Sequence, residues 1–424
     1  MSLSTAETKS AMSQVPPAAA TLWSQKLFVA LTSGLVGLIV LSCFASGVWQ
    51  LNQPGFEGKS LSVDFAAFWG AAKMVLSGLP SEAYDYDLMR QVQQLGSDEH
   101  GRGWLPWLYP PPVLAMVTPF GLLPFSVAWI SFSLLCYAAF AAALCQFVTP
   151  SAPLRMMVLV APAVMMTLVL GQVSTLWCAG VLCLLAALRD GKPALAGLML
   201  ALIAMKPQLA LLVPVALLAA GHWRVLLWGA FWLAALILAS LPTAGIESWY
   251  AFVESATSTW DIVNSEEGVT TRDISTLMVS WHPLLTWLGL GETPATVIQT
   301  CVTLSFAAGI FWIWRRTEGN RDLAIAALLF AAPIATPYAL HYELVVSATG
   351  CFFLIRGSET MGRAVVWGLF LVWMVPLLWA GPIHALDLTY DLSFSLLTAP
   401  LLSLLFIACL RQVRSQELGK PKPA

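Results

Sequence analysis

Hydrophobic residues in this chain fall in long runs that short polar turns separate. A bilayer core about 30 Å thick is crossed by roughly 20 helical residues, or fewer where a helix is bent. The pattern therefore predicts about 12 transmembrane helices. The predicted spans lie at about 27–49, 125–147, 155–170, 173–189, 193–205, 207–221, 223–244, 295–315, 322–336, 338–356, 363–381 and 391–411.

One further apolar stretch, 111–123, is short and rich in proline, so we expect a re-entrant or interfacial segment there. Two long segments, about 50–124 and 245–294, connect spans on the same side of the membrane. Both contain stretches that predict amphipathic helices lying near the membrane surface. These stretches are 65–76, 84–95 and 249–260.

The composition supports a membrane protein. Of 424 residues, 58% are hydrophobic and only 10% are charged, and the net charge is −2. Soluble domains are nearer a quarter charged, so an ordinary soluble enzyme is excluded. The lack of a basic excess also excludes a nucleic-acid-binding protein. The 8 cysteines form no C-x-x-C pair and are typical of small buried thiols, so we expect no metal site from them.

The basic residues predict the orientation of the chain. Most of the 21 Lys and Arg residues fall in the short loops of one side if both termini are cytoplasmic. We therefore expect a disordered cytoplasmic segment at 1–26, one transmembrane domain at 27–411 and a cytoplasmic tail at 412–424. The two long segments are then extracytoplasmic.

Three short turns on that outer side, 171–175, 205–208 and 336–343, contain polar residues beside the start of a helix. A helix N-terminus carries partial positive charge and free N–H groups. Together with Lys206 and His341, these N-termini predict an anion site that suits a lipid phosphate. The plainer interpretation is a set of ordinary hairpin turns, with His341 a packed core residue about one turn into its helix.

Asp64 lies just after the first predicted span, among apolar and aromatic neighbours. A carboxylate in such surroundings can act as a general base if its pKa is tuned. The alternative is an N-cap for the helix that follows. For Asp85 and Asp87 we expect capping or a solvated loop, and 108–112 is typical of a rigid extended turn.

Taken in order, these residues resemble glycosyltransferase family 87, within the GT-C class of polytopic membrane enzymes. The resemblance rests on Asp64 within 63–72, Tyr109 with its following prolines, 171–173, Lys206 with Pro207, and the turn 337–341. It implies a GT-C-like fold and a polyprenyl-phosphate-mannose donor used outside a bacterial inner membrane. The last turn departs from the family because it has no Asp or second His beside His341, and Glu343 is a possible substitute.

The resulting hypothesis is an inverting transfer of a hexose to a lipid or glycan acceptor. Asp64 would be the general base. Lys206, His341 and Arg272 would bind the donor phosphate. Tyr109, Gln172, Trp69 and Glu343 would contact substrate. We expect no metal cofactor, although some GT-C enzymes use a divalent cation.

Two other classes fit parts of the pattern: a transporter or flippase of lipid-linked sugars, and a structural subunit without chemistry. Transporters often contain internal repeats and helices broken at the membrane midplane. No convincing repeat is present, and a long outer segment with an acidic residue favours an enzyme.

Overall fold

A computed structural model describes residues 63–94, 105–147, 152–263, 276–316, 321–358, 362–378 and 393–418. This part of the chain is helical and contains no strand, with one isolated antiparallel bridge between Met278 and Leu340. The all-α fold class is therefore confirmed. The first predicted span, both termini and Arg272 lie outside the described residues.

The α-helices follow one another through short turns. They are α1 Val63–Leu76, α2 Tyr86–Gln94, α3 Pro111–Gly121, α4 Phe125–Cys145, α5 Ala152–Leu159, α6 Pro162–Leu170, α7 Ser174–Arg189, α8 Pro193–Ile203, α9 Pro207–Ala210, α10 Val213–Ala219, α11 Trp223–Ala244, α12 Glu247–Val263, α13 Trp281–Trp287, α14 Glu292–Arg316, α15 Arg321–Ile334, α16 Leu344–Gly357, α17 Arg363–Leu378 and α18 Ser395–Leu418. Two 3₁₀ turns, Pro80–Tyr84 and His341–Glu343, precede α2 and α16.

Four helices in the described part of the chain are long and apolar enough to cross a membrane: α4, α11, α14 and α18. This agrees with a polytopic membrane protein, but the predicted number of spans is not confirmed.

Two predicted spans are interrupted. The stretch 155–170 forms α5 and α6, and 207–221 forms α9 and α10. Pro162 and Pro214 occupy the first turns of α6 and α10. Backbone N–H groups in a first turn have no partner within the helix, so a proline there removes no helical hydrogen bond.

The helix predicted at 65–76 is present as α1, but it is packed into the protein and does not lie on the protein's surface. Helix α1 packs against α3 and α4, and Phe65, Phe68 and Ala71 are buried. The Phe68 ring lies 5.5 Å from the ring of Trp107, which belongs to the loop before α3. Because aromatic side chains enclose α1 on several faces, it is a core helix. The predicted helices at 84–95 and 249–260 are present as α2 and α12.

A central pair of helices, α15 and α16, is buried along almost all of its length by α5, α6, α7, α14, α17 and α18. Helices α8 and α11 approach very closely, because a Cβ atom on Gly197 would lie 2.7 Å from the backbone nitrogen of Gly229. Small residues permit such contact between membrane helices. The N-terminal ends of α7 and α16 meet at one end of this bundle, where α1 also begins.

Candidate active site

Buried or half-buried polar side chains from five separate chain segments meet where α1, α7 and α16 begin. Each lies in a turn or in the first turn of a helix, so a few local backbone conformations place all of them. They are Asp64, Tyr109, Gln172, Ser174, Lys206, Tyr342 and Glu343. The structure thus brings together five of the predicted site residues, from positions 64 to 343 of the chain.

Gln172 connects the members of this cluster. Its Nε2 donates to Oδ2 of Asp64 at 2.7 Å and to the hydroxyl of Tyr342 at 3.2 Å. The Tyr109 hydroxyl donates to Oε1 of Gln172 at 3.3 Å. Tyr109 is held in turn, because its carbonyl accepts a 2.8 Å hydrogen bond from the Tyr84 hydroxyl. The amide of Gln172 is therefore oriented with its donor toward Asp64.

Asp64 is a carboxyl group with a strongly shifted pKa. Its side chain lies in the first turn of α1 and the residue is 8% exposed. Burial raises the pKa of Asp64 to about 6, against the lowering effects of the Gln172 hydrogen bond and the Lys206 charge. Asp64 therefore changes protonation about one pH unit below neutrality, a range that suits proton transfer.

Gly171 explains why α1 can come so near to Gln172. It ends α6 with φ of 69°, in the left-handed region that favours glycine. A Cβ atom at this position would lie 2.5 Å from Cβ of Phe65, the residue after Asp64. Only a glycine satisfies both the turn and the close approach, so Gly171 positions the Asp64–Gln172 pair.

Lys206 and Glu343 form a buried ion pair. The two residues are 5% and 2% exposed, and Lys206 Nζ also lies 3.4 Å from Oγ of Ser174. Burial is the largest single effect and lowers the pKa of Lys206, but Glu343 and Tyr109 together outweigh it, so the pKa lies above its ordinary value. Lys206 is therefore charged, and its ammonium lies 5.2 Å from the centre of the Tyr342 ring.

His341 is beside this cluster but differs from its prediction. It lies in the 3₁₀ turn before α16, not one turn into a helix, because its backbone N–H bonds the Leu277 carbonyl at 2.9 Å. Burial lowers the pKa of His341 to about 4, so the ring is neutral at pH 7. As a phosphate ligand it can therefore make a hydrogen bond but adds no positive charge.

Trp69 does not join the cluster. Its Nε1 donates to the Leu123 carbonyl at 3.1 Å, and its ring lies edge-on to Phe125 at 5.7 Å. The side chain therefore packs α1 against α4.

Asp85 behaves as the predicted cap, since its Oδ1 accepts a 2.9 Å hydrogen bond from Leu88 N in the first turn of α2.

Sequence reasoning missed Tyr342 and Ser174 as members of the cluster. Tyr342 lies between two predicted site residues, and Ser174 opens the helix that follows Gln172. Both were inside the polar turns that the sequence singled out. What selects them is their contact with Gln172 and Lys206, which residue type alone does not reveal.

A family model for glycosyltransferase family 87 matches residues 107–337, which is more than half of the chain. The chain belongs to glycosyltransferase family 87. It is accordingly a glycosyltransferase, and its long apolar helices make it a membrane protein. No curated protein and no solved structure matches it significantly. Membership in family 87 favours the enzyme over the transporter and structural-subunit alternatives.

The family 87 match contains Tyr109, Gln172 and Lys206, whereas Asp64 and Glu343 lie beyond its two ends. The fold joins these two groups, because Gln172 contacts Asp64 and Lys206 contacts Glu343. A family 87 glycosyltransferase must deprotonate an acceptor hydroxyl and stabilise a departing group. This cluster supplies a carboxyl group and an ammonium for such chemistry.

Several polar atoms around the cluster have no hydrogen-bond partner among the described residues. They are Oε2 of Glu343, Oγ1 of Thr175, Oγ of Ser347 and Nδ1 of His341. Buried groups of this kind are costly unless a ligand or water pairs with them. A polar substrate at this site would satisfy them. In the part of the chain that the structure describes, no group of three His, Cys, Asp or Glu side chains could hold a metal ion.

Proposed function

We propose that this glycosyltransferase moves a hexose, mannose, from a polyprenyl-phosphate donor to a hydroxyl of a lipid or glycan acceptor. The reaction inverts the anomeric centre and takes place at the extracytoplasmic face of a bacterial inner membrane, with both termini cytoplasmic. The observation that carries the proposal is the buried Asp64 carboxyl, with a pKa of about 6, in one cluster with the charged Lys206.

In this mechanism, the carboxylate of Asp64 accepts the proton of the acceptor hydroxyl as its oxygen attacks the anomeric carbon. The new glycosidic C–O bond forms on the face opposite the phosphate. The bond between the anomeric carbon and the phosphate oxygen breaks, and its electron pair stays on the polyprenyl phosphate. Since Gln172 binds one oxygen of Asp64, the base has a defined orientation toward the acceptor.

Lys206 is the group best placed to stabilise the leaving phosphate. Its ammonium has three donors, and its polar neighbours are Glu343, Ser174 and the hydroxyl of Tyr109. A phosphate oxygen that enters the site would replace one of the weaker contacts of the ammonium, assisted by the N-terminal amides of α7. Glu343 balances the charge of Lys206, so further groups are needed at the phosphate. The neutral His341 would add a hydrogen bond, and Arg272 would add positive charge. Stabilisation of developing charge is often the largest catalytic contribution.

The test is an Asp64→Asn enzyme assayed with labelled polyprenyl-phosphate-mannose and a lipid acceptor. We expect the rate of sugar transfer to fall at least about a hundredfold, because the amide cannot accept the proton. The matched control is Asp87→Asn, which changes an exposed carboxylate in the same outer segment. Transfer at the wild-type rate by Asp64→Asn would rule out Asp64 as the base.

A second arm identifies the donor. Wild-type enzyme is given polyprenyl-phosphate-mannose, polyprenyl-phosphate-glucose or a soluble nucleotide-mannose in separate reactions. We expect transfer only from the first. Incorporation from the nucleotide sugar would reject the lipid-phosphate donor, and a preference for glucose would reject mannose.

A further inference from the structure

A cavity of about 510 Å³ lies at the opposite end of the helices that form the candidate active site. Helix α7 begins at the polar cluster and ends at Arg189, and α16 begins just after Glu343 and reaches Arg356 near its end. A helix of this length spans about 24 Å, at 1.5 Å per residue. The cavity is therefore separate from the glycosyltransferase site.

The lining of this cavity combines cationic and apolar side chains. The cationic residues are Arg189, Arg315, Arg321 and Arg356. The apolar residues include Phe147, Leu185, Leu188, Trp314 and Ile325. Asp322 is the one acidic residue that lines the cavity within the described part of the chain.

The positive charge of the cavity is only partly balanced. Both oxygens of Asp322 accept from Arg356, and Arg189 pairs with Asp190 at 3.0 Å. Arg315 and Arg321 form no ion pair with any described residue. Their guanidinium groups are exposed at the ends of α14 and α15. The cavity therefore presents two guanidinium groups that are available to an anion.

The helix ends beside the cavity have the composition of a membrane interface. The long apolar helix α14 ends there with Arg316, which lies 4.8 Å from the Trp312 ring. Helix α11 begins there with Trp223, whose ring lies 5.5 Å from the Arg224 guanidinium. Tryptophan and arginine at the ends of spanning helices are typical of the interface where lipid headgroups reside.

We propose that this cavity binds the phosphate headgroup of an anionic lipid. Arg315 and Arg321 would contact the phosphate oxygens, and the apolar wall around Phe147 and Leu188 would receive the first part of the acyl chains. A free phosphate would use the guanidinium groups but not the apolar wall, so the mixed lining favours the lipid.

The experiment measures thermal stabilisation and binding of the purified full-length protein with three probes: dioctanoyl phosphatidic acid, dioctanoyl phosphatidylcholine and inorganic phosphate. The wild type should bind phosphatidic acid most tightly, and this binding should weaken as salt is added. In the Arg315→Gln/Arg321→Gln variant, affinity for phosphatidic acid should fall at least about tenfold. Arg356 is left unchanged because its loss would leave Asp322 unpaired.

The matched control is Arg224→Gln/Arg316→Gln, which removes two charges from the same membrane face but not from the cavity lining. We expect its affinity to stay within about twofold of the wild type. An equal loss in both variants would show a general surface charge effect and overturn the site. Unchanged binding by the cavity variant would do the same. Inorganic phosphate binding as tightly as phosphatidic acid would overturn the assignment to a lipid.

Discussion

At the scale of single residues, the orientation of one amide controls the candidate base. The ionised Asp64 carboxylate can only accept, so the NH₂ group of Gln172 faces Asp64 and Tyr342, and the amide oxygen accepts from the Tyr109 hydroxyl. A hydrogen bond to a carboxylate stabilises its charged form, whereas burial stabilises the neutral form. The pKa of Asp64, about 6, reflects both effects.

The first prediction concerns pH. Because only ionised Asp64 can accept a proton, kcat/KM should rise with pH through about 6 and then level off. Gln172→Leu removes the hydrogen bond that lowers this pKa, so the acidic limb should move to higher pH. The measurement is the pH profile of sugar transfer. Gln146→Leu, an exposed change at the other end of the bundle, is the control. A limb that stays in place in Gln172→Leu would contradict the role of the amide.

The second prediction concerns the buried ion pair. Lys206→Met leaves the Glu343 carboxylate buried without its partner, so the free energy of unfolding should fall by about 3–5 kcal/mol. The double variant Lys206→Met/Glu343→Gln removes both charges and should recover most of that stability. Sugar transfer should remain low in both variants, because the phosphate loses its ammonium.

Chemical denaturation in detergent measures the stability change, and a transfer assay measures the activity. The double variant is informative because it separates folding from catalysis. If it transferred sugar at the wild-type rate, Lys206 would have only a structural role. If it were as unstable as Lys206→Met, the destabilisation would come from packing and not from an unpaired charge.

At the scale of elements, the site depends on how α1 meets the turn before α7. Sequence patterning predicted a helix over most of α1 but placed it on the membrane surface. The burial of Phe65 and Phe68 shows that it is a core helix. Local periodicity cannot distinguish these cases, because an apolar face fits a bilayer and a protein core equally well.

The third prediction concerns that helix contact. Gly171→Ala adds a Cβ atom where only 2.5 Å separates it from Phe65, so α1 must move away and Asp64 must leave Gln172. We expect a loss of sugar transfer of at least about tenfold and a lower melting temperature. The control is Gly191→Ala, where φ is 67° and no atom lies within 4 Å. That variant has the same backbone strain without the close contact. Equal activity losses in the two variants would attribute the effect to strain alone.

At the scale of the whole molecule, the helices bring together arginines that the sequence predicted to lie on the cytoplasmic side. Arg189, Arg315 and Arg356 surround one cavity, far from the cluster of Asp64 and Lys206. Predicted loops of one side thus share one end of the bundle. This agrees with the asymmetry of basic residues that predicted the orientation.

The fourth prediction tests that orientation. In a background without the native cysteines, Asp87→Cys and Lys192→Cys each introduce an exposed thiol at opposite ends of the bundle. A membrane-impermeant thiol reagent added to intact spheroplasts should label position 87 but not position 192. After the membrane is opened, both should react. Labelling of position 192 in intact spheroplasts would reverse the proposed topology and place the active site in the cytoplasm.

Part of the site could be predicted because it depends on residue type and local position. A charged group in a short turn between apolar helices is rare, so Lys206 stood out and Glu343 could be named as a substitute, while Asp64 stood out as an acidic residue among apolar neighbours. Trp69 packs α1 against α4 and lies outside the cluster, and a tryptophan that stacks on a sugar looks the same in sequence as one that packs two helices. For His341 the sequence predicted phosphate binding but no charge state, because its burial, which makes the ring neutral, is not visible in the sequence.

By itself, the sequence determined that the protein is a helical membrane protein. It also indicated that one side is rich in basic residues and that the other contains the polar turns. These properties follow from composition and local periodicity. Only the tertiary structure decided that Gln172 orients Asp64 across 108 positions of the chain and that Glu343 neutralises Lys206. The physical reason is that pKa, charge balance and hydrogen bonding depend on burial and on partners distant in sequence. Those properties arise only when the helices pack.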